Sequence, residues 1–89
     1  MSSDIETRIV SLVATTLHVD PARVRRDSRF ARDLDADSLD SVSLLLAIED
    51  DFAIDIHDED AAEILTVAQL IEYVTNTLDA REPRVVAWR

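Results

Sequence analysis

The stretch Asp37-Ser38-Leu39-Asp40-Ser41-Val42-Ser43-Leu44-Leu45-Leu46-Ala47-Ile48-Glu49-Asp50-Asp51-Phe52 reads as one helix with more apolar surface than a small bundle easily covers. Asp37 is a good N-cap, and Asp40, three residues later, falls near the positive end of the helix dipole. At about 100° per residue, Leu44, Leu45, Ile48 and Phe52 share an arc of roughly 100°, the width of a core-facing stripe. Leu39, Val42 and Leu46 share a second arc, about 60° wide and centred well over 100° away. Glu49 lies between the two arcs, and Asp50 and Asp40 lie beyond the second. Either the second arc tucks beneath the preceding loop, or it is an exposed apolar ridge bordered by acids, which is how a docking surface is built.

Ile5, Ile9, Leu12, Val13 and Leu17 recur at helical spacing with Ser2 or Ser3 as N-cap, which predicts a first helix ending before Asp20-Pro21. His18 to Ala36 is irregular and charged, a long loop pinned to the core by Val24 and Phe30; loops of that length are often functional. Ile54 and Ile56 mark a turn into a short helix from roughly His57 to Ile64. Thr66-Val67-Ala68-Gln69 fits a capping box that opens a last helix through Leu70, Ile71, Val74 and Leu78. The fold class is therefore all-α: a small four-helix bundle, three longer helices and one short, with a long loop between helices one and two. Residues 1–79 form one domain, and Ala80 to Arg89, with Trp88, read as a flexible tail.

Composition removes several classes of function. The 89 residues make one small domain, and without cysteine there is no disulfide, thiolate metal site or thiol nucleophile. Glycine is absent, so no Gly-rich phosphate cradle exists, and helix ends are expected to use Asp, Asn or geometry outside the left-handed region. No apolar run approaches the roughly 20 residues of a membrane span, and the N-terminus lacks a signal-peptide core, which predicts a cytoplasmic protein. The net charge is −10. All nine basic residues are arginines, five of them between Arg23 and Arg32, whereas the stretch from Asp33 to Ala80 holds fourteen acids and no base. Such a field repels nucleic acid and anionic membranes and favours basic protein surfaces.

Ser38 stands at the start of the second helix with no base to activate it. Neither His18 nor His57 forms an evident triad, and Asp37 and Asp40 are poor bases at their usual pKa. Calcium is a closer rival, since Asp33, Asp35 and Asp37 fit the first, third and fifth positions of an EF-hand loop. That loop would have Ser38 in place of its glycine and Leu44 in place of its bidentate glutamate, so no dedicated metal site is expected. As a modification site Ser38 is well placed, because free N–H groups and the dipole at a helix N-terminus favour a phosphoryl group. A serine there is also, more simply, a residue that starts helices.

The run Asp33-Leu34-Asp35-Ala36-Asp37-Ser38-Leu39-Asp40-Ser41-Val42 resembles the attachment motif of acyl carrier proteins, D-L-G-A-D-S-L-D-x-V. Ala47-Ile48-Glu49-Asp50-Asp51-Phe52 is similar to that family's A-L-E-E-E-F, and Thr66-Val67 stands where its last helix opens. The close likeness covers about half the chain. It implies a discrete carrier without catalytic activity, a phosphoprotein in which Ser38 receives 4′-phosphopantetheine from coenzyme A through a phosphopantetheinyl transferase. Acyl groups would be held as thioesters for the basic surfaces of synthases, acyltransferases and ligases of fatty-acid, polyketide or specialised lipid biosynthesis. By position the resemblance makes Asp37, Leu39, Asp40, Val42, Leu46, Glu49 and Asp50 the partner surface. It also implies an acyl pocket of Phe30, Leu44, Ile48, Ile56, Ala61, Ile64 and Leu70, which are equally core residues. The expected protein is a monomer that binds neither nucleic acid nor membrane.

The sequence departs from the family pattern at three places. Asp35 replaces the motif's glycine, a residue type that tolerates left-handed backbone better than most. Ser43 stands where many relatives carry glutamate, and His57 where proline commonly precedes the third helix. With the arginine-bearing tail, these point to a specialised carrier over a housekeeping one. The alternative of another class is an acidic helical adaptor that is never modified and acts only by binding proteins.

Overall fold

The computed structural model describes residues 2–81. It comprises α1 (Ser2–Leu17), a single 3-10 turn (Pro21–Arg23), α2 (Ser38–Phe52), α3 (Asp58–Ala61) and α4 (Val67–Arg81). Helix α1 packs on both α2 and α4. No strand forms among the described residues beyond one isolated antiparallel bridge, Arg29 with Thr66. The all-α bundle with its long first loop is the architecture expected. The anticipated tail lies outside the described residues apart from Ala80 and Arg81, which continue α4.

Each long helix contributes one apolar face to a common core. Ile9 and Val13 of α1, Leu44, Ile48 and Phe52 of α2, and Val67, Leu70, Ile71 and Val74 of α4 are buried together. Full burial of such side chains is worth about 1.5–3 kcal/mol apiece. The loop supplies more anchors than the two foreseen: Val24 and Phe30 are joined by Leu34, Ala36 and the polar Ser28. Ser28 is tolerated inside because its hydroxyl donates to the Arg23 carbonyl at 3.2 Å and accepts from the Arg25 N–H at 3.0 Å.

The loop is fastened to the start of α4 by main-chain hydrogen bonds. The N–H groups of Val67 and Ala68, which a helix cannot satisfy internally, donate to the carbonyls of Ser28 (3.0 Å) and Arg26 (2.8 Å), and Phe30 N–H donates to the Leu65 carbonyl (3.1 Å). Thr66 and Gln69 form the foreseen capping box, with Gln69 N–H on Thr66 Oγ1 and Thr66 N–H on Gln69 Oε1.

Two expectations are corrected. The third helix is one turn, Asp58–Ala61, and does not reach Ile64. After Ala61 the bonds tighten to three-residue closures, Glu63 N–H to Asp60 and Ile64 N–H to Ala61, which bring the chain round to meet Phe30 through Leu65. The absence of glycine also does not keep helix ends out of the left-handed region. His18 (φ 58°) closes α1 and Ala53 (φ 56°) closes α2. In both, the next N–H caps a carbonyl five residues back: Val19 to Ala14 at 3.0 Å and Ile54 to Glu49 at 3.1 Å. These are Schellman closures, and their hydrogen bonds and the burial of Ile54 outweigh roughly 1–2 kcal/mol of left-handed strain.

Ala53→Gly should therefore stabilise the protein by about 0.5–1 kcal/mol, the strain relieved less the added freedom of the unfolded chain. The urea midpoint should rise with an unchanged slope.

Tyr73, the chain's single tyrosine, ties α4 to α3 by donating its hydroxyl to Asp60 Oδ2 at 2.9 Å. Burial first, then the hydrogen bond and charge of Asp60, raise its pKa above the usual 10.0. The fold thus favours the neutral phenol, so this contribution is present below pH 10 and is lost as pH rises through the raised value. Phenolate absorbance, which reports this residue alone, should titrate above 10 in the folded protein. Tyr73→Phe should cost about 1 kcal/mol at neutral pH and flatten the alkaline loss of stability.

Candidate functional site

Helix α2 begins at Ser38 because Asp37 stops the extended chain there. Asp37 Oδ1 accepts from Asp40 N–H at 2.8 Å, and Asp40 Oδ2 accepts from Asp37 N–H at 3.2 Å, a reciprocal capping box. The chain enters through Asp35, whose left-handed backbone (φ 54°) makes the turn that glycine would make more cheaply. Leu34 and Ala36 on either side are buried, so the turn is pinned, and Ala36 N–H donates to the Phe30 carbonyl at 2.8 Å.

Ser38 sits in this first turn exposed to solvent. No hydrogen bond ties its hydroxyl to another described residue, and neither histidine is bonded to it. Both His18 and His57 are exposed, His18 at the end of α1 and His57 at the N-cap of α3. The arrangement presents an uncommitted hydroxyl beside the positive end of a 15-residue helix, without a nucleophile's base. A phosphoryl ester fits an exposed serine in the first turn, where free helix N–H groups favour negative charge. Two of the three would-be calcium carboxylates are engaged elsewhere. Asp33 Oδ2 accepts from Arg29 N–H at 2.8 Å and Asp37 caps α2. Among the described residues, no three acidic or imidazole side chains converge as metal ligands.

The second apolar arc of α2 lies open. Leu39 is 72% exposed, Val42 53% and Leu46 59%, whereas Leu44 and Ile48 of the first arc are almost wholly buried. The loop does not cover this ridge. Asp37 and Asp50 are exposed at its margin, and Asp40 and Glu49 are half-buried. The last two also hold the structure at either end of α2: Asp40 closes the capping box, and Glu49 Oε2 accepts from Ile56 N–H at 2.7 Å. Sequence reasoning missed this second duty of Glu49, which has no local signature because its partner is seven residues away across a turn.

The seven residues of the implied acyl pocket come together. Phe30, Leu44, Ile48, Ile56 and Leu70 are buried in one cluster, with Ala61 and Ile64 packed at its edge. Sequence reasoning also missed Arg8. It spans from α1 to the C-terminal end of α2, donating to Asp51 Oδ2 at 2.6 Å and lying 4.6 Å above the Phe52 ring.

With the geometry described, likeness to known proteins adds an independent line. A family model for the phosphopantetheine attachment site matches residues 7–74. An acyl carrier protein of Thermosynechococcus vestitus is 41% identical over 78 residues, covering 88% of this chain and 96% of that protein.

Charge substitutions on α2 should separate into two kinds. Glu49→Ala strands the partly buried Ile56 N–H and should cost about 1–3 kcal/mol, and Asp37→Ala about 1 kcal/mol through the lost cap. Asp50→Asn, at an exposed site, should stay within about 0.5 kcal/mol of the parent in the same denaturation assay.

Proposed function

Because the chain belongs to the acyl carrier protein family, whose members bear a covalently attached 4′-phosphopantetheine, we propose that Ser38 is the attachment residue and that α2 presents it to partner enzymes. The observation that carries this is the exposed, uncommitted Ser38 hydroxyl at the capped start of α2. When bound, the group supplies a terminal thiol that carries acyl chains as thioesters, which a cysteine-free chain cannot do itself.

The chain's own residues do the rest. Asp37 and Asp40 fix the first turn that carries the exposed Ser38, where helix N–H groups would offset the phosphodiester charge. Leu39, Val42 and Leu46 offer the apolar centre of a contact surface, and Asp37 and Asp50 give it an acidic margin. An apolar centre supplies affinity, and the charged margin supplies encounter rate and orientation towards basic enzyme surfaces. We assign the partners as a phosphopantetheinyl transferase and the acyl-processing synthases, acyltransferases or ligases of fatty-acid, polyketide or specialised lipid synthesis, met as a cytoplasmic monomer. No helix among the described residues is long and apolar enough to cross a membrane, and the net charge of −10 opposes nucleic-acid binding.

Intact mass after incubation with coenzyme A and a broad-specificity transferase should show one phosphopantetheine adduct, absent in Ser38→Ala. A folded protein that takes no adduct would instead be an adaptor acting through its acidic face alone. On the loaded carrier, Leu46→Asp should slow acyl transfer by a partner about tenfold, some 1.4 kcal/mol, with helicity unchanged. Added salt should weaken the parent's partner reactions by screening its margin.

A further inference from the structure

Tyr73, Asn76, Thr77 and Ala80 recur at three- and four-residue spacing on α4, and with Asp60 of α3 they line a cleft of about 530 Å³. Clefts of that size bury organic groups. Tyr73 is held in place by its hydroxyl bond to Asp60 at 2.9 Å. A second cleft, of about 250 Å³, shares Asp60, Tyr73 and Asn76 and adds the exposed Glu63 and Glu72. The two are contiguous through the shared residues. Among their described lining residues stand three carboxylates and no cation.

The sequence supplies a segment that matches this surface. The described residues end at Arg81, immediately after Ala80. Beyond them stand Glu82-Pro83-Arg84-Val85-Val86-Ala87-Trp88-Arg89. Pro83 works against helix at Glu82 before it. Arg81, Arg84 and Arg89 are the only bases after Arg32, and Arg84 and Arg89 bracket the apolar run Val85 to Trp88. Tyr73 lies about 12 Å back from Arg81 along the helix axis, and the stretch from Pro83 to Trp88 can span up to about 20 Å. The segment is long enough to return to Tyr73.

We propose that residues 84–89 fold back into this cleft, with Trp88 and the valines against Tyr73 and Ala80, and Arg84 and Arg89 facing Asp60, Glu63 and Glu72. An indole brings a large apolar surface and one N–H donor, which suits a wall of aromatic and carboxylate groups. Guanidinium–carboxylate pairs at the edge give the contact its direction. The segment then clasps the one-turn α3 to α4. This role is independent of attachment at Ser38, and it replaces the free tail that composition predicts.

Trp88 and Tyr73 are the chain's single tryptophan and single tyrosine, so fluorescence of the full chain reads the contact directly. Trp88 emission should lie to the blue of its position in urea, and acrylamide should quench it several-fold more weakly than in urea. Tyrosine excitation should feed that emission more efficiently than in the unfolded chain. Ala80→Arg and, as a parallel variant, Asn76→Arg place a cation in the cleft at exposed positions. Each should return quenching to the urea value with helical circular dichroism unchanged. Native quenching as strong as in urea overturns the proposal. So does protection that survives both substitutions, which would put the segment elsewhere, or protection that appears only as protein concentration is raised, which would mean a second copy.

Discussion

Three main-chain hydrogen bonds fasten the long loop to the entrance of α4: Val67 to Ser28, Ala68 to Arg26, and Phe30 to Leu65. They solve two problems together. The first N–H groups of α4 need acceptors outside the helix, and the loop from His18 to Asp37 needs a fixed course. Once Phe30 is held, its carbonyl receives Ala36 N–H, Leu34 and Ala36 are buried, and the left-handed turn at Asp35 has a defined place. The position of Ser38 thus follows from contacts made on the far side of the loop.

From that anchor α2 serves two masters. Its inner stripe of Leu44, Ile48 and Phe52 is core, and its outer ridge of Leu39, Val42 and Leu46 is left open. Exposed apolar residues are common singly, but two leucines and a valine on one arc beside the exposed Ser38 make a continuous apolar patch. The acids around the ridge do not all act alike. Asp50 is a free charge in solvent, whereas Asp40 and Glu49 are bound to main-chain N–H groups at the two ends of the helix. Those two fix the helix that carries the ridge as well as colouring its field.

Much of this was legible in the residues themselves. The two arcs of α2, the Asp37 cap, the Thr66–Gln69 box and the anchors Val24 and Phe30 are local patterns, and local patterns survive in one dimension. The shortness of α3 was not legible, because it is set by where the chain must return to meet Phe30. The left-handed His18 and Ala53 escaped for a related reason. Propensity argues against them, and the closing hydrogen bonds, with burial of Ile54 after Ala53, override it. The reach of Glu49 to Ile56, the span of Arg8, and the meeting of Asp60 with Tyr73 depend on tertiary placement. No spacing rule announces them.

The C-terminal turn of α2 contains no basic residue, although its carbonyl end is the negative pole of the dipole. Arg8 supplies the missing cation from another helix, bonding the Asp51 carbonyl and carboxylate and covering Phe52. The cation at the C-terminal end of α2 is therefore in place only when α1 has docked. An unfolded chain would hold neither the open row of Leu39, Val42 and Leu46 nor Ser38 at a capped helix start. On the proposed function, a partner enzyme that grips this helix would meet it only in a chain whose first helix is already in place.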